Sequence, residues 1–140
     1  TGYVAETLKK LKFKNIIGLD YSEDMLEVAK SKNIYRRLIC QSLNKKTSLR
    51  SNQFDVILCT GVLTSGHVGP SAIKELIRLT KKNGYLILSI SEAIFEKLGF
   101  KKELELRKNE IKTKIISNRF VATPNNSHSA YSRMYVLTKV

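Results

Sequence analysis

The stretch Asn15-Ile16-Ile17-Gly18-Leu19-Asp20, continued by Tyr21-Ser22-Glu23-Asp24-Met25-Leu26-Glu27-Val28-Ala29, changes its hydrophobic pattern in the middle. The first part is a short apolar run that ends in an acid, the pattern of a buried strand with a polar tip. The second part opens on Ser22, a residue suited to cap a helix, and carries Glu23 and Asp24 where a helix dipole favours anions. Met25, Leu26, Val28 and Ala29 supply its apolar face, Lys30 and Lys32 close it, and Asn33 suits the residue just past its end. A buried strand leading directly into a capped helix is the repeating unit of an α/β fold.

The same alternation continues outward. Upstream, residues 3–12 place Val4, Ala5, Leu8 and Leu11 on one helix face, with the lysines at 9, 10 and 12 off it. Downstream, residues 35–41 and 54–60 read as strands separated by a polar loop over 42–53. A glycine-containing loop over 61–69 follows, with Pro70 suited to the first turn of a helix that repeats Ile73, Leu76, Ile77 and Thr80. Asn83-Gly84 should stop that helix, and residues 85–91 form the next strand. Near-continuous apolar strands between helices imply a mostly parallel sheet covered on both faces. Residues 92–110 read as a charged helix, and 112–121 and 133–139 as a terminal antiparallel strand pair. Thr123-Pro124-Asn125-Asn126-Ser127 between that pair is turn chemistry.

The whole chain has 140 residues, 42% of them hydrophobic and 26% charged, which suits one soluble domain over 1–140. No apolar run approaches the ~20 residues of a spanning helix, so no membrane partner is expected. Cys40 and Cys59 both sit in apolar runs and read as buried free thiols of a reducing compartment. The first residue is Thr, with no secretory leader after it, which points to the cytoplasm or nucleus.

The net charge is +13, with +6 over residues 1–50, +1 over 51–95 and +6 over 96–140. Such an excess favours polyanions by general electrostatics. No aromatic residues interleave with a dense basic run, so solvated lysine-rich faces are the preferred reading over a nucleic-acid partner.

Ligands of open parallel sheets bind beyond the carboxyl ends of the strands. Asp20 ends a strand and lies 18 positions after Gly2, near the ~20-residue interval between a glycine turn and a ribose-binding acid. The alternative is an acid that only helps cap the following helix. At the end of the 54–60 strand, Gly61 permits close backbone approach to a ligand. His67, in the loop after it, is a candidate general base or hydrogen-bond donor, against the plainer reading of a solvated loop histidine. His128, in the turn-like tail, carries less weight. No metal-ligand spacing, nucleophile elbow or P-loop is present, and no metal is expected.

T-G-Y-V-A-E-T-L-K-K-L followed by I-I-G-L-D-Y-S-E-D-M-L-E-V-A resembles the class I S-adenosylmethionine-dependent methyltransferases. So does F-D-V-I-L-C-T-G-V-L followed by I-K-E-L-I-R-L-T-K-K-N-G-Y-L-I-L-S-I. The loop T-S-G-H-V-G-P is similar to that of the methyltransferase-like proteins of the Williams–Beuren chromosomal region. The resemblance implies a Rossmann-like sheet in the order 3-2-1-4-5-7-6, its last strand antiparallel, and S-adenosyl-L-methionine as cofactor. It implies that Asp20 binds the ribose hydroxyls, that Tyr21 and Met25 lie by the adenine, and that Ser42 and Leu43 sit beside the adenine amino group. It places Gly2 in the glycine loop, and Thr60 and Gly61 at the methyl end.

Three departures accompany it. The family's first strand and all but the last glycine of its loop are absent, so the domain reads as N-terminally incomplete. Ser42 stands where the family usually has an acid, and Asn83 where it commonly has glycine. Without the first strand, the strands near 16–20 and 54–60 should either leave the chain unstable or pair directly with each other.

The resulting expectation is a methyltransferase acting on an unidentified acceptor, a small molecule or a protein. The alternatives are a non-catalytic binding module or inactive fragment, a nicotinamide-dependent dehydrogenase and a basic nucleic-acid binder. Methyl transfer asks mainly for alignment of an activated donor, so no catalytic base need be visible.

Overall fold

The computed structural model describes residues 1–64, 66–121 and 131–140. Its contacts divide the chain into two compact units, Thr1–Ser42 and Leu43–Val140.

The first unit is a βαβ element preceded by a helix. Helix α1, Tyr3–Lys10, carries Glu6 in its first turn and Lys9 and Lys10 in its last, in accord with the helix dipole, and buries Ala5. It ends two residues before the expected limit, because Lys12 turns into the left-handed region at φ 67°. Strand β1, Ile17–Asp20, runs into helix α2, Glu23–Ser31. The Ser22 hydroxyl accepts from the Met25 N–H at 3.3 Å, the expected cap, worth about 1 kcal/mol. Asn33, at φ 51°, turns the chain out of the helix as expected. Strand β2, Arg37–Cys40, then lies parallel to β1, from Ile17 opposite Arg37 to Asp20 opposite Cys40.

The second unit holds a five-stranded sheet. Strand β3, Phe54–Leu63, is followed by helix α3, Ala72–Leu79, and strand β4, Thr80–Ser91. Helices α4, Glu92–Phe95, and α5, Phe100–Leu106, precede strands β5, Ile111–Ile116, β6, Phe120–Val121, and β7, Tyr131–Lys139. The sheet order is β3-β4-β7-β5, with β6 also on β7. β3 and β4 are parallel, and β7 is antiparallel to both β4 and β5, which is the expected terminal pair. Leu63, Leu86, Leu88, Ile90 and Leu137 are fully buried, and Ala72, Ile73, Leu76 and Ile77 of α3 join them in one core with Ile94 and Phe100. Each such large side chain contributes about 1.5–3 kcal/mol by leaving water.

Several boundaries differ from the sequence reading. The expected helix over 92–110 is two helices, broken where Gly99 takes φ 88°. Pro70 precedes α3, its carbonyl accepting from the Ile73 N–H at 3.0 Å. That helix stops at Leu79, before Asn83-Gly84, because the extended Thr80 already opens β4 and pairs with Phe54. Asn83, at φ 61°, instead lies within β4 at the register shift between the Thr80 and Tyr85 pairings. Gly61 belongs to the lengthened β3. The 112–121 strand is divided into β5 and β6. Cys59 is buried as expected, but Cys40 is exposed, because it ends a short strand whose inward residue is Ile39. The expected turn over 123–127 and His128 lie outside the described residues.

Among the described residues, β1 pairs only with β2, and β3 only with β4. No described helix is long and apolar enough to cross a membrane.

Candidate functional site

In the first unit the carboxyl end of β1 gathers several of the expected residues. The Ser22 N–H donates to Asp20 Oδ1 at 3.1 Å, which fixes the carboxylate at the strand end. Oδ2 has no partner among the described residues. The capping reading of Asp20 thus accounts for one of its oxygens. The Gln41 N–H donates to the Asp20 carbonyl at 2.9 Å and extends the β1–β2 ladder by one bond, so Ser42, half-buried, follows at the same sheet end. The Cys40 thiol donates to the Tyr21 carbonyl at 3.5 Å. Tyr21 and Met25 lie just past the carboxylate and are 63% and 44% exposed. A free carboxylate oxygen flanked by exposed apolar side chains suits a vicinal diol attached to a flat, weakly polar ring.

Gly2 caps α1 in the left-handed region at φ 85°, with Tyr35 against it. A Cβ on Gly2 would come within 3.3 Å of the Tyr35 hydroxyl, and one on Gly18 within 2.9 Å of the Tyr35 ring. Tyr35 therefore packs across two glycines and ties the start of α1 to β1. Partial burial raises the pKa of its hydroxyl. The sequence reading missed this residue. The signal was Gly18 inside a strand, which marks close approach by another group.

In the second unit, Thr60 is half-buried and Gly61 exposed near the end of β3. Gly61 takes φ 72°, and its N–H donates to the Ser89 hydroxyl of β4 at 2.9 Å. Nothing lies within 4 Å of the place where its Cβ would be, so its outer side is open. Ser89, missed in the sequence, is a polar residue buried in an apolar strand, which is itself a signal. The loop after β3 is anchored by the buried Val68 and by the Gly69 N–H on Asn44 Oδ1 at 3.1 Å. His67 is exposed on that loop. Leu43 packs against the core of this unit.

An adenosyl cofactor needs groups for a nucleoside part and for a carboxylate-bearing end. Asp20, Tyr21, Met25 and Ser42 share one end of the first unit and suit its nucleoside part. For the carboxylate end, the structure sets Gly2 beside Tyr35 and the Lys32 stem.

A family model described as a methyltransferase domain matches residues 1–88, crossing from the first unit into the second. Methyltransferase-like protein 27 of Homo sapiens is 34% identical over 106 residues, 75% of this chain and 42% of that protein. The chain thus spans less than half the length of this curated relative. A solved structure of a Pyrococcus horikoshii protein matches with a TM-score of 0.70 at 17% identity, over 99% of this chain and 77% of that one. An S-adenosylmethionine-dependent methyltransferase from Mesorhizobium loti matches with a TM-score of 0.67 at 13% identity, over 99% and 86%. At such identities the structural matches speak for the fold, which is Rossmann-like. The strand orders β2-β1 and β3-β4-β7-β5 each match a part of the order that the sequence resemblance implied. By the match over residues 1–88, the chain belongs to the methyltransferase domain family.

Proposed function

We propose that this chain serves an S-adenosylmethionine-dependent methyl transfer to a small-molecule or protein acceptor. The observation that carries the reading is Asp20, held through Oδ1 by the Ser22 N–H with Oδ2 free at the carboxyl end of β1. The free oxygen would accept from the ribose hydroxyls, and Tyr21 and Met25 would flank the adenine. Ser42 offers one hydroxyl where a carboxylate would accept two hydrogen bonds, which weakens the hold on the adenine amino group. When bound, the cofactor supplies an activated methyl group, so the protein's part is to bind, align and exclude water. In the second unit, Thr60 and Gly61, with the Gly61 backbone fixed by Ser89, would border the methyl end, and His67 would face the acceptor. Two free cysteines suit a reducing compartment, cytoplasm or nucleus.

Asp20→Ala should weaken S-adenosylmethionine binding by about 1.5–3 kcal/mol, the range for hydrogen bonds to a charged group. Isothermal titration measures it, and unchanged affinity would remove Asp20 from the ribose. A second reading, a non-catalytic binding module, is favoured by Ser42, which stands where the family usually has an acid beside the adenine. It expects cofactor binding without turnover on any acceptor offered.

A further inference from the structure

The second unit contains a cavity of about 560 Å³, lined by six basic and two acidic side chains. That volume is within the range of small-ligand sites. The basic residues are Lys45, Lys46, Lys74, Arg78, Arg107 and Lys139, which come from four separate stretches of sequence. The fold therefore concentrates charge that the sequence spreads out.

Both acids are already neutralised. Glu75 holds Arg78, and Glu110 holds Arg107 at 2.9 Å. The Arg78 guanidinium is further occupied by the Ser51 hydroxyl and the Leu49 carbonyl, so it serves as a fixed wall. Lys139 donates to Asn52 Oδ1 at 2.7 Å and to the Thr80 carbonyl at 2.9 Å, which leaves one of its three N–H groups. Burial lowers its pKa against the opposing attraction of Glu110. Lys45, Lys46 and Lys74 are exposed and have no partner among the described residues. Ser71, the N-cap of α3, also lines the cavity and makes no side-chain cap bond. Asn52 precedes β3 and Thr80 opens β4, so the cavity adjoins the amino ends of the parallel strands. Gly61 lies toward the opposite, carboxyl end of β3, where ligands of such sheets bind. Among the described residues no aromatic side chain lines the cavity, so they offer no platform for stacking nucleic-acid bases.

We propose that this cavity is a second site, binding a compact polyanion that carries several phosphate or carboxylate groups, with Lys45, Lys46 and Lys74 as its main contacts. Leu43, which the resemblance sets beside the adenine, also lines the cavity, but none of the three lysines belongs to the methyl-transfer reading. Tripolyphosphate, citrate and a single-stranded RNA 12-mer serve as probes in titration calorimetry against the whole chain at constant ionic strength. Tripolyphosphate or citrate should bind, and the stronger of the two identifies the anionic group. The triple variant Lys45→Ala, Lys46→Ala, Lys74→Ala should weaken that binding on the order of tenfold or more. A control variant that removes the same charge outside the cavity, Lys9→Ala, Lys10→Ala, Lys30→Ala, should change it by about twofold at most. Binding of neither small anion overturns the proposal, as does equal weakening in the two variants or binding of RNA alone.

Discussion

Glu75 sits on the buried side of α3, yet it is charged, because its neighbours leave it no reason to take a proton. Arg78 binds both its carboxylate oxygens, and the Thr47 hydroxyl and N–H reach Oε1 at 2.7 and 2.9 Å. The Arg78 hydrogen bonds, against the opposing cost of burial, hold its pKa down at about 2. The unfolded chain therefore takes this proton first as acid is added. The associated stability is complete above the ordinary value of 4.5 and is lost as pH falls towards 2. The full shift would correspond to ~3 kcal/mol, and partial exposure of Arg78 brings it to about 2. Urea unfolding at pH 7, 4.5 and 3 should show this loss, and Glu75→Gln should flatten the curve over that window. A wild-type slope retained in the variant would mean that other carboxylates set the acid limit. Cysteine chemistry follows the same logic of burial. Burial pushes the Cys59 thiol up to about 12, so at neutral pH it is neither ionised nor accessible. Iodoacetamide on the folded chain should label Cys40 and spare Cys59. Equal labelling would show that β3 opens readily.

At the scale of elements, the strand-to-helix unit over residues 15–33 was legible because every local signal agrees. The apolar run, the Ser22 cap, the acidic first turn and the left-handed Asn33 all point to one structure. The break at Gly99 was missed because the charged residues on both sides have good helix propensity, although a glycine within such a run, here at φ 88°, is the signal for it. The carboxylate end of β1 was likewise readable from Asp20, whereas Tyr35 was not: its role depends on two glycines 16 positions apart meeting one ring. That packing makes a prediction for the element. Gly18→Ala would put a methyl group 2.7 Å from Leu38 Cδ2 and 2.9 Å from the Tyr35 ring. Leu38 can rotate away, but the ring is rigid, so overpacking should cost about 1–3 kcal/mol. The loss should appear in thermal unfolding, and the double variant Gly18→Ala, Tyr35→Ala should recover part of it. If the double variant is no better than the single one, the clash lies with Leu38 or the backbone.

At the scale of the whole chain, the two units differ in what holds them. The second unit has a continuous core in which Leu63, Leu86, Leu88, Ile90, Leu137 and Phe100 are almost completely removed from water. In the first unit the buried apolar residues are Ala5, Ala29 and Ile39, two of them too small to contribute much transfer energy. Its tertiary support comes instead from Tyr35 and from polar contacts of Lys32, which pairs with Glu6 at 2.9 Å and lies 4.2 Å from the centre of the Tyr3 ring. Partly exposed pairs of this kind add of order 1 kcal/mol or less each. Amides of β1 and β2 should therefore exchange through openings of lower free energy than those of β4 and β7. Hydrogen–deuterium exchange followed by mass spectrometry should show peptides from 17–40 labelled well before those from 85–91 and 131–139. A ligand on Asp20 stabilises only the states in which β1 is formed, so saturating S-adenosylmethionine should slow exchange in 17–40 by mass action. At the same cofactor concentration Asp20→Ala should reduce that slowing by about 1.5–3 kcal/mol while leaving the exchange of 85–91 as it was. Undiminished slowing in the variant would place the ligand elsewhere, and equal exchange of the two units without ligand would show that the three buried residues understate the cohesion of the first.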